Sequence, residues 1–293
     1  MCYVSNFSLK PPFKWTGGKN RMWGAYLPIF FPDGEFNRFV DMFFGAGSVS
    51  IWISELFPNV EIVVNDANTE LIDMYKVMQH DYDRFEVHYI ELVNKFLEME
   101  YDGRKSMYYD LRDRHAFEET DPHVDASELY FMLKVNFNGM WKAYKKMDYK
   151  YSTPPGTLTQ KTAFFDVQQV RKFASFIQNC TLLNGDFEIT EPFITDKTFT
   201  YADPPYRDSV VTYQDTFNED DQVRLVNYLK SCPGYTAESN KEIGDKFWET
   251  HYGDGYNIHT VPARYTAGRG KSVIKVDEVL ITNYNGNSLY QTA

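Results

Sequence analysis

Hydrophobic and polar positions in the first third of the chain switch between two periods. Residues 39–43 (FVDMF) form a short apolar run that ends at Gly45-Ala46-Gly47, and 48–56 continue at helical spacing. Residues 60–64 (VEIVV) make a β-branched run ending at Asn65-Asp66, after which 69–79 return to the helical period. Strand, glycine turn, helix and strand make a βαβ unit, which predicts a parallel sheet. From about 77 to 136, charged and aromatic residues recur at helical intervals with few breakers, which predicts several helices. Residues 139–156 alternate aromatic and basic positions and close on Pro154-Pro155-Gly156, as a β-hairpin or an ordered loop would. Later, 181–184, 198–202, 257–261 and 278–284 predict strands and 219–231 a helix. The pattern gives an α/β fold with a parallel-sheet domain in two segments, 1–76 and 161–293, around a helical insertion at 77–160.

Composition changes this picture little. The 293 residues are 43 % hydrophobic and 24 % charged, an ordinary globular balance. Cys2, Cys180 and Cys232 are odd in number and form neither a CxxC pair nor a Cys/His set, so no disulfide framework or zinc site is expected. Scattered histidines likewise predict no metal. The N-terminal residues lack the apolar stretch of roughly 7–15 residues found in signal peptides. No apolar run reaches the ~18 residues of a membrane span. A reducing, cytoplasmic setting follows as an expectation. The formal net charge of −11 argues against attachment to nucleic acid by bulk charge. Aromatic content of 17 % supplies a core and leaves rings that could stack on bases.

Two constellations carry chemistry. Gly45 and Gly47, between a strand and a helix N-terminus, form a turn at which backbone can approach a nucleotide. The dinucleotide fingerprint needs a further glycine where Ser50 stands, which weakens a pyrophosphate ligand. Asp66, at the end of the next strand, could accept hydrogen bonds from ribose hydroxyls. The pair favours an adenosine-bearing ligand without a pyrophosphate, and S-adenosylmethionine fits; an ordinary tight turn is the alternative. Asp203-Pro204-Pro205-Tyr206 follows the apolar run 198–202. Two prolines cannot continue a central strand, so the chain turns out at its carboxyl end with Asp203, the Pro204 carbonyl and Tyr206 held rigidly.

The order Lys14-Trp15-Thr16-Gly17-Gly18-Lys19, Phe39 to Gly47, Asn65-Asp66, an insertion, then Asp203-Pro204-Pro205-Tyr206 resembles the DNA adenine methyltransferase (Dam) family, the D12 class with its alpha order of motifs. Ser239-Asn240-Lys241 and 278–284 look familial more weakly. The resemblance implies a Rossmann-like S-adenosylmethionine-dependent methyltransferase sheet with a helical target-recognition insertion, double-stranded DNA as partner and adenine N6 as acceptor. Trp15 and Lys19 match positions that contact the cofactor, Asp66 the ribose-side carboxylate, and Asp203 the catalytic carboxylate beside the cofactor. Lys19 would meet the methionine carboxylate and Trp15 the sulfonium. The adenine amino nitrogen is a poor nucleophile because its lone pair is conjugated with the ring. Asp203 and the Pro204 carbonyl could each accept one of its N–H groups, while Tyr206 stacks on the flipped base. Methylation of cytosine N4 or of RNA, and a non-catalytic DNA-binding protein of the same fold, are the alternatives.

Residues 134–150 carry five Lys against one Asp, interleaved with Phe137, Trp141, Tyr144 and Tyr149. Lys14, Lys142, Lys145 and Lys146 are candidates for phosphate contact, and Asn136 and Asn138 for polar readout; a solvated hairpin is the alternative. Lys134-Val135-Asn136 stands where the family often has an Arg-Phe-Asn stretch, and Lys does not reproduce the bidentate guanine contact of Arg. Residues 10–24 and 262–276 also hold four basic side chains each and no acid. Positive charge is therefore concentrated locally in an acidic chain.

Overall fold

A strand buried on both faces needs apolar side chains pointing both ways, and the predicted strands supply them. The computed structural model describes residues 7–141, 153–208, 217–266 and 273–286. Among these, β1 (Arg38–Asp41), β2 (Glu61–Asp66), β3 (Cys180–Asn184), β4 (Thr198–Ala202), β5 (Tyr235–Lys241), β6 (Asn257–Thr266) and β7 (Val273–Thr282) form one sheet in the order β3-β2-β1-β4-β5-β7-β6. Phe39, Ile62, Val64, Phe199 and Tyr201 face one layer, while Val40, Val63 and Ala202 face the other. Both layers are covered by helices, as a parallel sheet requires.

The first five strands pair in parallel; β7 runs antiparallel to both β5 and β6. The sheet is therefore parallel from β3 to β5 and antiparallel at the β7-β6 edge. Only six residues separate β6 from β7, too few for the crossover of a dozen or more that a parallel pair needs.

The helices on the first layer begin with α1 (Trp23–Phe30), α2 (Ser48–Leu56) and α3 (Thr69–His80). The insertion supplies α4 (Tyr82–Glu98), α5 (Tyr101–Phe117) and α6 (Pro122–Val135), and α7 (Val167–Gln178) leads back to β3. Helix α6 is buried around most of its circumference, from Ala126 to Leu133 and at Val135, so it is the central helix of that region. Its Tyr130 meets Phe85 and Tyr89 of α4 edge-on at 5.6 and 5.1 Å. These residues belong to the same apolar cluster as Phe39, Phe44 and Tyr75. The expected boundary at residue 76/77 thus falls inside α3, and the insertion shares the sheet's core.

On the opposite layer, α8 (Glu219–Ser231) starts at a capping box between Asn218 and Asp221, and the short α9 (Phe247–Tyr252) follows β5. No helix among the described residues is long and apolar enough to cross a membrane.

Candidate active site

The order of strands reverses between β1 and β4. From β1 the chain crosses towards β2, and from β4 it crosses through α8 towards β5. Loops leaving the carboxyl ends of two such strands diverge and open a crevice, the usual ligand position in an open α/β sheet. Asp41 pairs with Tyr201 in register, so the Gly45 loop and Asp203 leave the sheet side by side.

The glycine loop is held through its own backbone groups. Phe44 N–H donates to Asn65 O at 2.8 Å and Gly45 N–H to Asp66 Oδ2 at 2.8 Å. The other Asp66 oxygen takes Asn68 N–H at 2.8 Å, and the Tyr75 hydroxyl donates to Gly45 O at 2.7 Å. Gly45 and Gly47 have φ of +51° and +75°, values that glycine adopts without strain. The Trp15 ring lies so close to Gly45 that a Cβ there would sit 2.8 Å from Trp15 Cδ1. Burial pushes the Asp66 carboxyl up, against the pull of its two N–H donors. Two lone pairs of the carboxylate remain for a ligand hydroxyl.

The turn after β4 is held by side chains. Lys19, 2 % exposed, donates to both Asp203 oxygens at 2.7 and 2.6 Å and to Gly17 O at 2.9 Å. Its ammonium lies 4.9 Å from the centre of the Tyr206 ring. Ser239 Oγ on β5 donates to Asp203 Oδ1 at 2.8 Å and pairs with the Tyr201 hydroxyl at 2.7 Å. Burial pushes the Asp203 carboxyl up, while Lys19 and Ser239 pull it down. Lys19 therefore faces the Asp203 carboxylate, with its three N–H donors already bonded. The sequence marks Ser239 only as part of a familial triplet. Its role depends on β5 lying beside β4, which the linear order does not reveal.

The candidates for DNA contact separate. Lys14 is exposed, and its backbone touches the turn after α6: a Cβ on Gly139 would lie 2.5 Å from Lys14 O. Thr16 Oγ1 reaches Gly139 O at 3.4 Å. Asn138 is exposed on that turn with φ +56°. Asn136, expected to present its amide for readout, is instead buried, with Nδ2 donating to Met140 O at 2.7 Å. Lys134 is also drawn inward, its ammonium 4.9 Å from the Phe164 ring, and burial pulls its pKa down. Lys142, Lys145 and Lys146 lie outside the described residues, as does most of the expected hairpin. The ends of that segment are fixed, however. Phe137 N–H donates to Pro154 O at 3.0 Å, Gly156 N–H to Val135 O at 2.8 Å, and Trp141 Nε1 to Glu70 Oε2 at 3.1 Å.

No cluster suited to a metal ion occurs among the described residues. Asp203 thus stands beside the glycine loop at a switch point of the sheet. A model of the D12 class N6 adenine-specific DNA methyltransferases matches residues 15–267. The chain belongs to that family. As a D12-class enzyme it methylates adenine in DNA. Its relatives include the type II methyltransferase M.MjaIII of Methanocaldococcus jannaschii, 28 % identical over 94 % of this chain and 99 % of that protein. The type II methyltransferase M1.LlaDCHI of Lactococcus lactis subsp. cremoris is also 28 % identical, over 96 % of this chain and 97 % of that protein. The DNA adenine methylase of Haemophilus influenzae is 28 % identical over 68 % of this chain and 66 % of that protein. This D12 methyltransferase carries the adenine activity on a Rossmann-like sheet, and the cytosine, RNA and non-catalytic alternatives fall away.

Proposed function

We propose that this D12 methyltransferase uses S-adenosylmethionine and acts on an adenine rotated out of double-stranded DNA into the crevice between β1 and β4. The observation that carries this reading is the Asp203 carboxylate at the end of β4, bonded by Lys19 and Ser239 beside the glycine loop. The residues fit a nucleoside, with Asp66 on the ribose side and Trp15 flanking Gly45; Lys19, its three donors on Asp203 and Gly17, would hold the Asp203 carboxylate rather than meet the methionine carboxylate. When bound, S-adenosylmethionine supplies a methyl group on a positively charged sulfur. Gly45 and Gly47 would let backbone approach the nucleoside, with Asp66 accepting a ribose hydroxyl.

Lys19 and Ser239 occupy both lone-pair positions of Asp203 Oδ1 and one of Oδ2, leaving one on Oδ2. That oxygen accepts one N6–H, and the Pro204 carbonyl accepts the other. Gripping both N–H groups turns the nitrogen lone pair out of conjugation and aims it at the methyl group. After transfer the nitrogen carries a surplus proton, which passes to Asp203 Oδ2. Lys19 keeps the carboxylate ionised until then, while the Tyr206 ring stacks on the base. Preorganised acceptors of this kind contribute about 10²–10³ in rate.

Lys14 and Asn138, with Lys142, Lys145 and Lys146 of the basic segment, would contact DNA. Asn136 would act indirectly by shaping the turn that presents Asn138. The names of the two relatives that align over their whole length support a modification role at specific sites. The test uses methyl-labelled S-adenosylmethionine, unmethylated phage DNA and nucleoside analysis of the product. Label is expected in N6-methyladenine, and Asp203→Ala is expected to lose about 10²-fold or more of it. Label in cytosine, or an unchanged rate in Asp203→Ala, would overturn the reading.

A further inference from the structure

The turn after β4 carries two prolines, which supply no N–H groups to hold it. Its grip comes from residues outside the motif. Gln222 on α8 donates Nε2–H to Pro205 O at 2.8 Å. Asn240 on β5 accepts Arg207 N–H at Oδ1 at 3.1 Å and donates Nδ2–H to Gln222 Oε1 at 3.1 Å. Only these orientations of the two carboxamides serve a carbonyl at one end and an N–H at the other. Gln222 and Asn240 are 2 % and 0 % exposed. Pro205 O and Arg207 N–H flank Tyr206, so the pair clamps the backbone on both sides of the ring proposed to stack on the base.

The clamp is itself braced. The Arg207 guanidinium binds Glu219 at 2.8 and 3.2 Å and Asp245 at 2.6 and 3.1 Å, and lies 3.7 Å over the Phe247 ring. Asn240 also donates to Glu238 Oε1 at 3.3 Å, and the other Glu238 oxygen takes the Tyr252 hydroxyl. Lys241 donates to Asp208 Oδ2 at 3.0 Å. The three side chains of Ser239-Asn240-Lys241 thus meet Asp203, Arg207 and Asp208, spanning the turn from end to end.

We propose that Gln222 and Asn240 are positioning residues for methyl transfer, setting the Pro204 carbonyl and the Tyr206 ring through the backbone at Pro205 and Arg207. This rests on the reading that the Asp203 turn carries the chemistry. Displacing a reacting group by about 1 Å can cost on the order of 10² in rate without touching binding. A merely structural pair would instead lower stability and affinity together.

The test measures single-turnover transfer by the full chain from labelled S-adenosylmethionine to unmethylated phage DNA. Gln222→Met keeps the volume and removes the donor. Gln222→Glu keeps the acceptor for Asn240 but faces the Pro205 carbonyl with an oxygen. Each is expected to slow transfer roughly tenfold to a hundredfold, the effect of one lost buried hydrogen bond. Dissociation constants for donor and DNA should stay within about twofold, because neither side chain is proposed to touch a ligand. The double variant Gln222→Met/Asn240→Leu should be no slower than the slower single one, because the two act as one unit. Unchanged transfer in both Gln222 variants, slowing matched by an equal loss of affinity, or additive losses would overturn the proposal. Asp203→Ala is measured alongside. If it is inactive while the Gln222 variants are unaffected, the clamp alone is wrong; if Asp203→Ala is fully active, the catalytic reading fails and the clamp with it.

Discussion

Two turns leave adjacent strands at the crevice and are stabilised in opposite ways. After β1 the loop is shaped by glycine dihedrals and by backbone N–H groups bonded to Asn65 and Asp66. After β4 the turn is held by side chains reaching from distant parts of the chain: Lys19, Ser239, Gln222 and Asn240. The acids show the same contrast. Asp203 has a buried cation on both oxygens, whereas among the described residues Asp41 at the end of β1 has the Ser50 hydroxyl at 2.6 Å and Phe43 N–H at 3.4 Å. A loop built from backbone is altered by added bulk. A turn built from charge is altered by removing its partner.

The largest expected effect breaks the charged turn. Lys19→Met leaves Asp203 buried without its cation, which should cost about 3–5 kcal/mol of stability near pH 8 and roughly a hundredfold or more in transfer. Because an uncompensated carboxyl takes up a proton, stability should partly return towards pH 5. Adding Asp203→Asn should restore stability but not activity. Denaturant unfolding and the labelled-methyl assay separate these outcomes, and unchanged stability in Lys19→Met would mean the pair carries no weight.

Gly45→Ala attacks the backbone-built loop. An alanine at φ +51° is strained by about 1–2 kcal/mol, and its Cβ would sit 2.8 Å from the Trp15 ring. A loss of about 3 kcal/mol and weaker donor binding are expected. Trp15→Ala should recover the contact component and leave the dihedral strain. Full recovery on thermal melting would show that φ is unimportant there.

The smallest effect concerns pH. Burial pushes the Asp41 carboxyl up to about 7, and Glu238 likewise to about 7. The folded state then holds more protons than the unfolded chain between about pH 4 and 7, so stability is full below that window and falls as pH rises through it. Asp41→Asn should remove on the order of 2 kcal/mol of that fall, because it takes away the buried charge while leaving an acceptor for Ser50. Melting temperatures of the two proteins at pH 5 and 8 make the comparison; parallel losses would place the titration elsewhere.

Much of the fold was legible because burial on two faces writes a simple pattern. The runs at 39–43, 60–64, 181–184 and 198–202 became β1 to β4, and 219–231 matched α8 residue for residue. Strand β5 escaped notice because its centre is Ala237-Glu238-Ser239-Asn240, where buried polar groups serve the turn beside them. The expected start of the insertion lies within α3 because that helix buries residues against both the sheet and α6, and nothing in its spacing marks where one partner yields to the other. At the site, Asp203-Pro204-Pro205-Tyr206 and the glycine pair could be read from residue types alone. Gln222 could not, since a glutamine in an amphipathic helix looks like any solvated side chain, and Asn240 stood out only within its familial triplet, without its partners.

By itself the sequence determined the order of the glycine and Asp-Pro-Pro-Tyr loops, the acids at their strand ends and the family they resemble, because those features are local. Tertiary structure alone decided which groups face one another. It directed Lys19 to Asp203 across 184 positions, turned Asn136 and Lys134 inward, and brought β5 alongside the turn after β4. Charge compensation and hydrogen bonding act through space, and only the folded sheet sets those distances.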